Sequence, residues 1–258
     1  MGSFAAYTGM KASSQAIKDG ANNLANSKVN GYKQLNSSFY DLAYRNERRL
    51  GEDDKEIGVM QMGNGVAISG TIADFSQGEL IQTKGNDFNL AVVGHGFFVI
   101  TKPDGSVAYT RNGEFMKDSE GKLVMSGTGY QLGQQAIVIP DAGATDFTVK
   151  EDGYVTVKVG DAVQEIGRVE FANFINPAGM KRLGQHLYEE SEGSGAPLFA
   201  YPGDEDIGLL KQGYLEQSNV DPILALLNLT ESSHWYNYAL KAFEIGSKTE
   251  ERLMDARV

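Results

Sequence analysis

The sequence predicts an α+β fold in which N- and C-terminal helices pair as a coiled coil and flank a central, mostly antiparallel β domain. Three observations carry that prediction. Met10, Ile17 and Leu24 recur every seven residues with Ala6, Ser13 and Gly20 beside them, which places a thin apolar stripe on one face of a helix. Near the other end, Leu226, Leu229, Ser233, Tyr236, Leu240 and Phe243 fall at alternating steps of three and four, the spacing of an a/d seam. Between them lie short β-branched and aromatic runs punctuated by glycine turns.

The first helix is expected over roughly residues 2 to 27. Its apolar stripe is too narrow to bury alone. The Asn-rich run Ala21-Asn22-Asn23-Leu24-Ala25-Asn26 ends it, through side chains that bond their own backbone, and Gly31 can take the left-handed conformation that stops a helix. A short helical or extended segment through Phe39, Leu42 and Tyr44 follows. Glu47, Arg48, Arg49, Glu52, Asp53, Asp54, Lys55 and Glu56 then crowd together with Gly51 and Gly58, and by residue type alone this is a solvated loop. An alternation through Val59, Gln61, Gly63 and Gly65 comes next.

From about Val66 to Gly213 the signal is β. Gly96-Phe97-Phe98-Val99-Ile100 reads as a strand, Pro103-Asp104-Gly105-Ser106 as a turn, and Val107-Ala108-Tyr109-Thr110 as the returning strand. Asn112-Gly113 and Glu120-Gly121 mark further turns around Phe115, before the apolar run Leu123-Val124-Met125. Asp152-Gly153, between Phe147-Thr148-Val149 and Val155-Thr156-Val157, is a strong hairpin signal. Ile166, Val169, Phe171 and Phe174 continue the pattern, so a sandwich or irregular barrel is expected. Ser191-Glu192-Gly193-Ser194-Gly195-Ala196-Pro197 reads as a surface turn without the lysine of a phosphate loop. Asp221-Pro222 then supplies an N-cap and first helical residue. The expected division is 1–45 helical, 46–66 an extended segment, 67–217 β-rich and 218–258 helical.

Composition narrows the function classes. With 258 residues the chain is long enough for a sizeable core, and 31 glycines against 6 prolines fit tight hairpins. A net charge of −11 with scattered lysines and arginines argues against a nucleic-acid partner. No cysteine is present, which removes disulfides, thiolate metal sites and thiol nucleophiles. His95, His186 and His234 show no metal-ligand spacing, no GxSxG elbow accompanies the serines, and the acidic pairs Asp53-Asp54 and Glu189-Glu190 read as solvated surface. No catalytic, cofactor-binding or metal residue is therefore assigned. His234-Trp235 lies off the seam and is expected to pack on a neighbouring helix. Neither a secretory signal nor a membrane-spanning run is visible, which taken alone points to the cytoplasm.

Four blocks carry a family resemblance. Asn22-Asn23-Leu24-Ala25-Asn26 with Gly31-Tyr32-Lys33 resembles the NNLAN…GFK signature of bacterial flagellar axial proteins, the rod and hook family. Phe75-Ser76-Gln77-Gly78-Glu79-Leu80 with Thr83 and Leu90 to Phe98, then Tyr109-Thr110-Arg111-Asn112-Gly113-Glu114-Phe115, and finally Gly213-Tyr214-Leu215-Glu216-Gln217-Ser218-Asn219-Val220, are similar to further blocks of that family in the same order. The length fits its distal rod members better than the longer hook members. Val29 departs from the usual threonine, and His234-Trp235-Tyr236-Asn237 from the usual RAYE.

The resemblance implies a structural subunit that polymerises with copies of itself into a helical tube, a drive shaft carrying torque from motor to hook. The terminal helices would form an inner coiled-coil layer and the β domain an outer one. The residues expected to carry self-assembly are Met10, Ile17, Leu24, Asn23 and Asn26 at one end and Leu226, Leu229, Tyr236, Leu240 and Phe243 at the other. The charged segment from Glu47 to Gly58 would reach adjacent subunits. Implied partners are other rod and hook subunits, the export apparatus that passes the chain without a cleaved signal peptide, and P- and L-ring bushing proteins where an outer membrane exists. The implied location is the basal-body rod in the periplasmic space. Other readings remain open: a proximal rod or hook-like subunit, or a cell-wall-binding or hydrolytic β module.

Overall fold

The computed structural model describes residues 2–50, 56–140, 144–160, 162–204 and 206–256. It is α+β, with two helices and a mostly antiparallel set of strands. The chain forms two compact units, one of Met1–Ala25, Leu35–Ile72 and Asp221–Val258, the other of Asn26–Gln34 and Ala73–Val220.

The first unit is built on helices α1 (Gly2–Ala25) and α2 (Pro222–Asp255). They pack against each other, and their contacts run in opposite directions along the two sequences. Gly246 faces Ser3, Gly9 faces Ala239 and Gly20 faces Leu229, where an added Cβ would meet Leu229 at only 3.6 Å. Small residues of both helices thus stand where α1 and α2 meet. The Asp221 carboxylate accepts from the Ile223 and Leu224 amides at 2.8 and 3.3 Å and Pro222 occupies the first turn, so the predicted start of α2 is the observed one. Such a cap is worth about 1 kcal/mol.

Of the helical and extended alternatives after α1, the chain takes the extended one: Leu35–Asp41 pairs with Val66–Ala73. The expected solvated loop is also partly strand. Arg45–Leu50 and Glu56–Met62 form an antiparallel hairpin, with Arg45 opposite Met62 and Arg48 opposite Val59. Arg45, Asn46, Val59 and Met60 are all exposed, so at these positions burial does not separate the two faces of the strands as it does where a strand is read from sequence. Glu52, Asp53, Asp54 and Lys55 lie outside the described residues.

Asp19 fastens these strands to α1. Its buried carboxylate accepts from Gln15 Nε2 at 2.9 Å, Ser37 Oγ at 2.5 Å and Thr71 Oγ1 at 2.9 Å. Asn23 does the same one turn later, donating to the Leu35 carbonyl at 2.7 Å and accepting from the Leu35 amide at 2.8 Å. The Asn-rich run therefore does more than terminate a helix: its buried member clamps the strand that follows.

In the second unit the principal sheet runs Lys181–Gly184, Leu187–Glu189, Val107–Thr110, Phe97–Thr101, Gln131–Leu132, Leu123–Met125 and Phe115–Lys117, while Phe171–Asn173 pairs with both Phe97–Thr101 and Leu198–Ala200. Ala144–Val149, Tyr154–Val159 and Ala162–Arg168 form a three-stranded meander through the predicted Asp152-Gly153 turn. Leu90–Val93 pairs with Leu209–Gln212, and Leu80–Gln82 with Tyr214–Glu216. Alternation on the central strand supplies two cores. Phe98 and Ile100 enter one with Phe115 and Phe171, and Phe97 and Val99 enter the other with Tyr109, Phe174 and Tyr188. Phe98 meets Phe115 and Phe171 edge-on at 5.1 and 5.4 Å, the arrangement that aromatic quadrupoles favour.

Two glycines expected as turn or stop residues do something else. Gly113 is needed because a Cβ there would lie 1.5 Å from the Leu90 carbonyl oxygen. Gly31 does take a left-handed φ of 69° but lies past the end of α1; its amide donates to the Glu216 carbonyl at 2.7 Å, and a Cβ would come within 2.5 Å of the Asn112 amide nitrogen. It docks a segment into the β unit.

Candidate assembly surfaces and a buried ionic triad

Of the apolar residues singled out on the helices, all but one are partly shielded from solvent. Met10, Ile17 and Leu24 on α1, and Leu229, Tyr236, Leu240 and Phe243 on α2, are half-buried, and Asn23 is buried. Leu226 is 52% exposed, and Ala225 takes the buried position in that turn. Asn26 is half-buried and belongs to the β unit.

The other face of α2 is apolar as well. Ile223, Leu224, Leu226 and Leu227 are each more than half exposed, so the first two turns of the helix are apolar all round. A helix apolar all round ordinarily belongs inside a core. Further along, Trp235 and Tyr238 are exposed and meet edge-on with ring centroids 6.0 Å apart, and the Trp235 indole donates to Glu231 at 3.3 Å. The exposed His234 ring stacks on Tyr238. Trp235 and Tyr238 wall a groove of about 570 Å³ whose floor is Gly9, Ala12, Ser13 and Ala16 of α1, with Ser232, Ala239 and Ala242 of α2 and with Phe39 and Val66 from the paired strands. No charged side chain lines it.

The β unit holds a feature that sequence reasoning missed. The Lys33 ammonium, fully buried, lies 2.5 Å from Glu216 Oε1 and donates to the Ser76 carbonyl at 2.7 Å. Glu216 Oε1 also accepts from the Gly78 amide at 2.9 Å, and Glu216 Oε2 faces the Arg111 guanidinium at 3.5 Å. Arg111 lies 5.0 Å over the Phe97 ring, and among the described residues its Nε has no hydrogen-bond partner. Burial lowers the pKa of Lys33, with Glu216 opposing that shift, and burial likewise lowers that of Arg111. Two cations thus share one carboxylate, away from water.

Each member of this triad comes from a different sequence block: Gly31-Tyr32-Lys33, Tyr109 to Phe115, and Gly213 to Val220. The surrounding main chain is tied by the same segments, since the Gln34 amide donates to Asn219 Oδ1 at 2.8 Å and Asn219 Nδ2 donates to the Asp74 carbonyl at 2.9 Å. The signal was one charged residue in each of the first and third blocks and Arg111 beside Glu114 in the second. Spacing alone does not say that those charges meet. The triad's role is structural: Lys33 and Glu216 are closed to solvent and present no cleft to a substrate.

Among the described residues no group of three His, Cys, Asp or Glu side chains is placed to hold a metal, and no helix is long and apolar enough to cross a membrane.

Comparison with known proteins gives a consistent result. A family model described as the flagellar hook protein FlgE/F/G D1 domain matches residues 91–157. The chain is 36% identical to the flagellar basal-body rod protein FlgG of Agrobacterium fabrum over 250 residues, covering 94% of this chain and 91% of the relative. It is 35% identical to the protein of that name from Borreliella burgdorferi, covering 94% and 91%, and 34% identical to that from Bacillus subtilis, covering 84% of each.

Proposed function

The chain belongs to the flagellar basal-body rod protein family, as a structural subunit and not an enzyme, and from that premise we propose that its helical unit polymerises into the distal rod while its β unit forms the outer domain. The observation that carries this reading is the apolar surface on both faces of α2, one meeting α1 and the other open at Ile223, Leu224 and Leu227. In the assembled rod α1 and α2 act as a coiled-coil pair, with Met10, Ile17, Leu24, Leu229, Tyr236, Leu240 and Phe243 along the seam and Leu226 turned to a neighbour. Asn23 and Asn26 fix the exit from α1. Residues 1–45 and 218–258 make the inner domain, 46–66 an intersubunit extension and 67–217 the outer domain.

The contact between copies is heterologous and repeats without closing, which generates a helical tube. Bending such a tube strains many interfaces at once, so a shaft able to carry torque to the hook follows from multiplicity rather than from any single strong contact. Its partners are copies of itself, other rod and hook subunits, P- and L-ring bushing proteins where an outer membrane exists, and the export apparatus, which delivers the chain to the periplasmic part of the basal body without a cleaved signal peptide.

Electron microscopy of the purified chain tests the reading. Straight tubular filaments are expected, and Leu240→Asp should leave only soluble subunits with an intact β unit. A chain that stays monomeric at every concentration, or filaments indifferent to Leu240→Asp, would count against it. The alternative of a cell-wall-binding or hydrolytic module finds no support in the Lys33–Glu216–Arg111 cluster, which is closed to solvent.

A further inference from the structure

We propose that the groove walled by Trp235 and Tyr238 receives the first turns of α2, Ile223 to Leu227, from a second copy of the chain; the proposal rests on the rod reading and names the contact that propagates it. Two features on one helix fit each other. The groove is concave, apolar and without a charged lining residue. The turn from Pro222 to Thr230 is convex and carries no charge in its sequence, and its Ile223, Leu224 and Leu227 are 71%, 57% and 59% exposed. An ion pair is not needed at this contact, and none of these residues would strand a charge on burial.

The turn and the groove are also continuous. From Leu224 and Leu227, steps of four and three lead through Glu231 to Trp235, Tyr238 and Ala242, so a single stripe of α2 carries the knob at its start and the groove at its middle. Along a helix, the eleven steps from Leu224 to Trp235 span about 16 Å at roughly 1.5 Å per residue. An antiparallel two-fold pair would seat both knobs at once and close, whereas copies shifted in one direction along the axis leave a knob free at one end and a hole at the other. Knob into the next hole, repeated, gives an open head-to-tail array. Trp235 supplies a rigid wall, and its bond to Glu231 holds the indole beside the opening.

The decisive experiment mixes two defective chains. Leu224→Glu with Leu227→Glu destroys the knob and keeps the groove; Tyr238→Glu charges the groove and keeps the knob. All three positions are more than half exposed, so the fold should tolerate the changes, which circular dichroism and the melting profile verify. Sedimentation velocity should show association of the unmodified chain, at least tenfold weaker association of each variant, and 1:1 dimers when the two variants are mixed, because one intact knob and one intact groove remain. Association of the unmodified chain should also persist on a tenfold rise in ionic strength, since no charges meet.

A mixture that stays monomeric overturns the knob-and-groove contact. So does undiminished association of either variant, and if both variants then fail only to bind another rod or hook subunit, the groove belongs to that subunit. In each of these cases the rod reading survives. An unmodified chain that never associates overturns both.

Discussion

Lys33 and Glu216 are 183 positions apart in sequence and 2.5 Å apart in space, with neither side chain exposed to solvent. Their pairing joins the segment after α1 to the segment before α2 within the β unit. Removing one partner of a buried pair leaves a charge without compensation, but here Arg111 makes the two losses unequal. Glu216→Gln leaves two buried cations facing each other and should cost about 3–5 kcal/mol. Lys33→Met leaves Glu216 paired with Arg111 and should cost less, about 1–3 kcal/mol for the Ser76 carbonyl and carboxylate bonds it abandons. Urea unfolding of the two variants checks the order; an equal or reversed cost would mean that Arg111 does not hold Glu216.

Alkali should act through the second aromatic core. Burial, assisted for Tyr109 by Glu190 and Glu170, raises the hydroxyl pKa of Tyr109 and of Tyr188 from 10.0 to about 12. The folded state keeps these protons where the unfolded chain has lost them. Their contribution is therefore fully present below pH 10 and falls as pH rises from 10 through 12. Tyrosinate absorbance followed alongside unfolding should show late ionisation in that window, and Tyr188→Phe should flatten the loss of stability. A Tyr188→Phe profile identical to the parent's would remove the explanation.

Asp19 ties the strands Leu35–Asp41 and Val66–Ala73 to α1 through their Ser37 and Thr71 hydroxyls. Asp19→Ala strands the Ser37 and Thr71 hydroxyls and should cost about 1–3 kcal/mol. The loss should be local, read as faster amide hydrogen exchange in Leu35–Asp41 and Val66–Ala73 with the β unit unchanged. Uniformly faster exchange across both units would show that Asp19 does not act on these strands in particular.

Gly20 separates close packing from helix weakness. A Cβ there would meet Leu229 at 3.6 Å, ordinary van der Waals distance, so Gly20→Ala should stabilise α1 by about 0.5–1 kcal/mol. Gly20→Leu has no room beside Leu229 and should force the helices apart. The helical circular dichroism signal against temperature distinguishes the two; a destabilised alanine variant would mean that the glycine serves something other than helix approach.

The features legible in the sequence were those set by local chemistry or by short periods. The Asp221-Pro222 start of α2 follows from the orphan amides of a first turn, the Asp152-Gly153 hairpin from a left-handed position, and the half-buried stripe of α1 from the seven-residue recurrence of Met10, Ile17 and Leu24. The hairpin Arg45–Leu50 with Glu56–Met62 was hidden because its charged run reads as a loop by residue type, and because Arg45 and Asn46, like Val59 and Met60, are exposed although neighbours in a strand point to opposite faces. Gly113 and Gly31 were misread for a related reason: glycine announces a missing side chain, and only the neighbouring chain tells whether the space went to a turn or to another backbone.

The opening α+β outline, with its two helices and glycine-punctuated strands, was thus determined by the sequence alone, because propensity and period act over a few residues. Which charges meet was decided by the tertiary structure. Lys33, Arg111 and Glu216 stand in three separate blocks, and Leu226 rather than Ala225 looked like the inward residue of α2. Long-range pairing and the rotation of a helix about its axis depend on what packs against it, and a pattern of spacings carries neither.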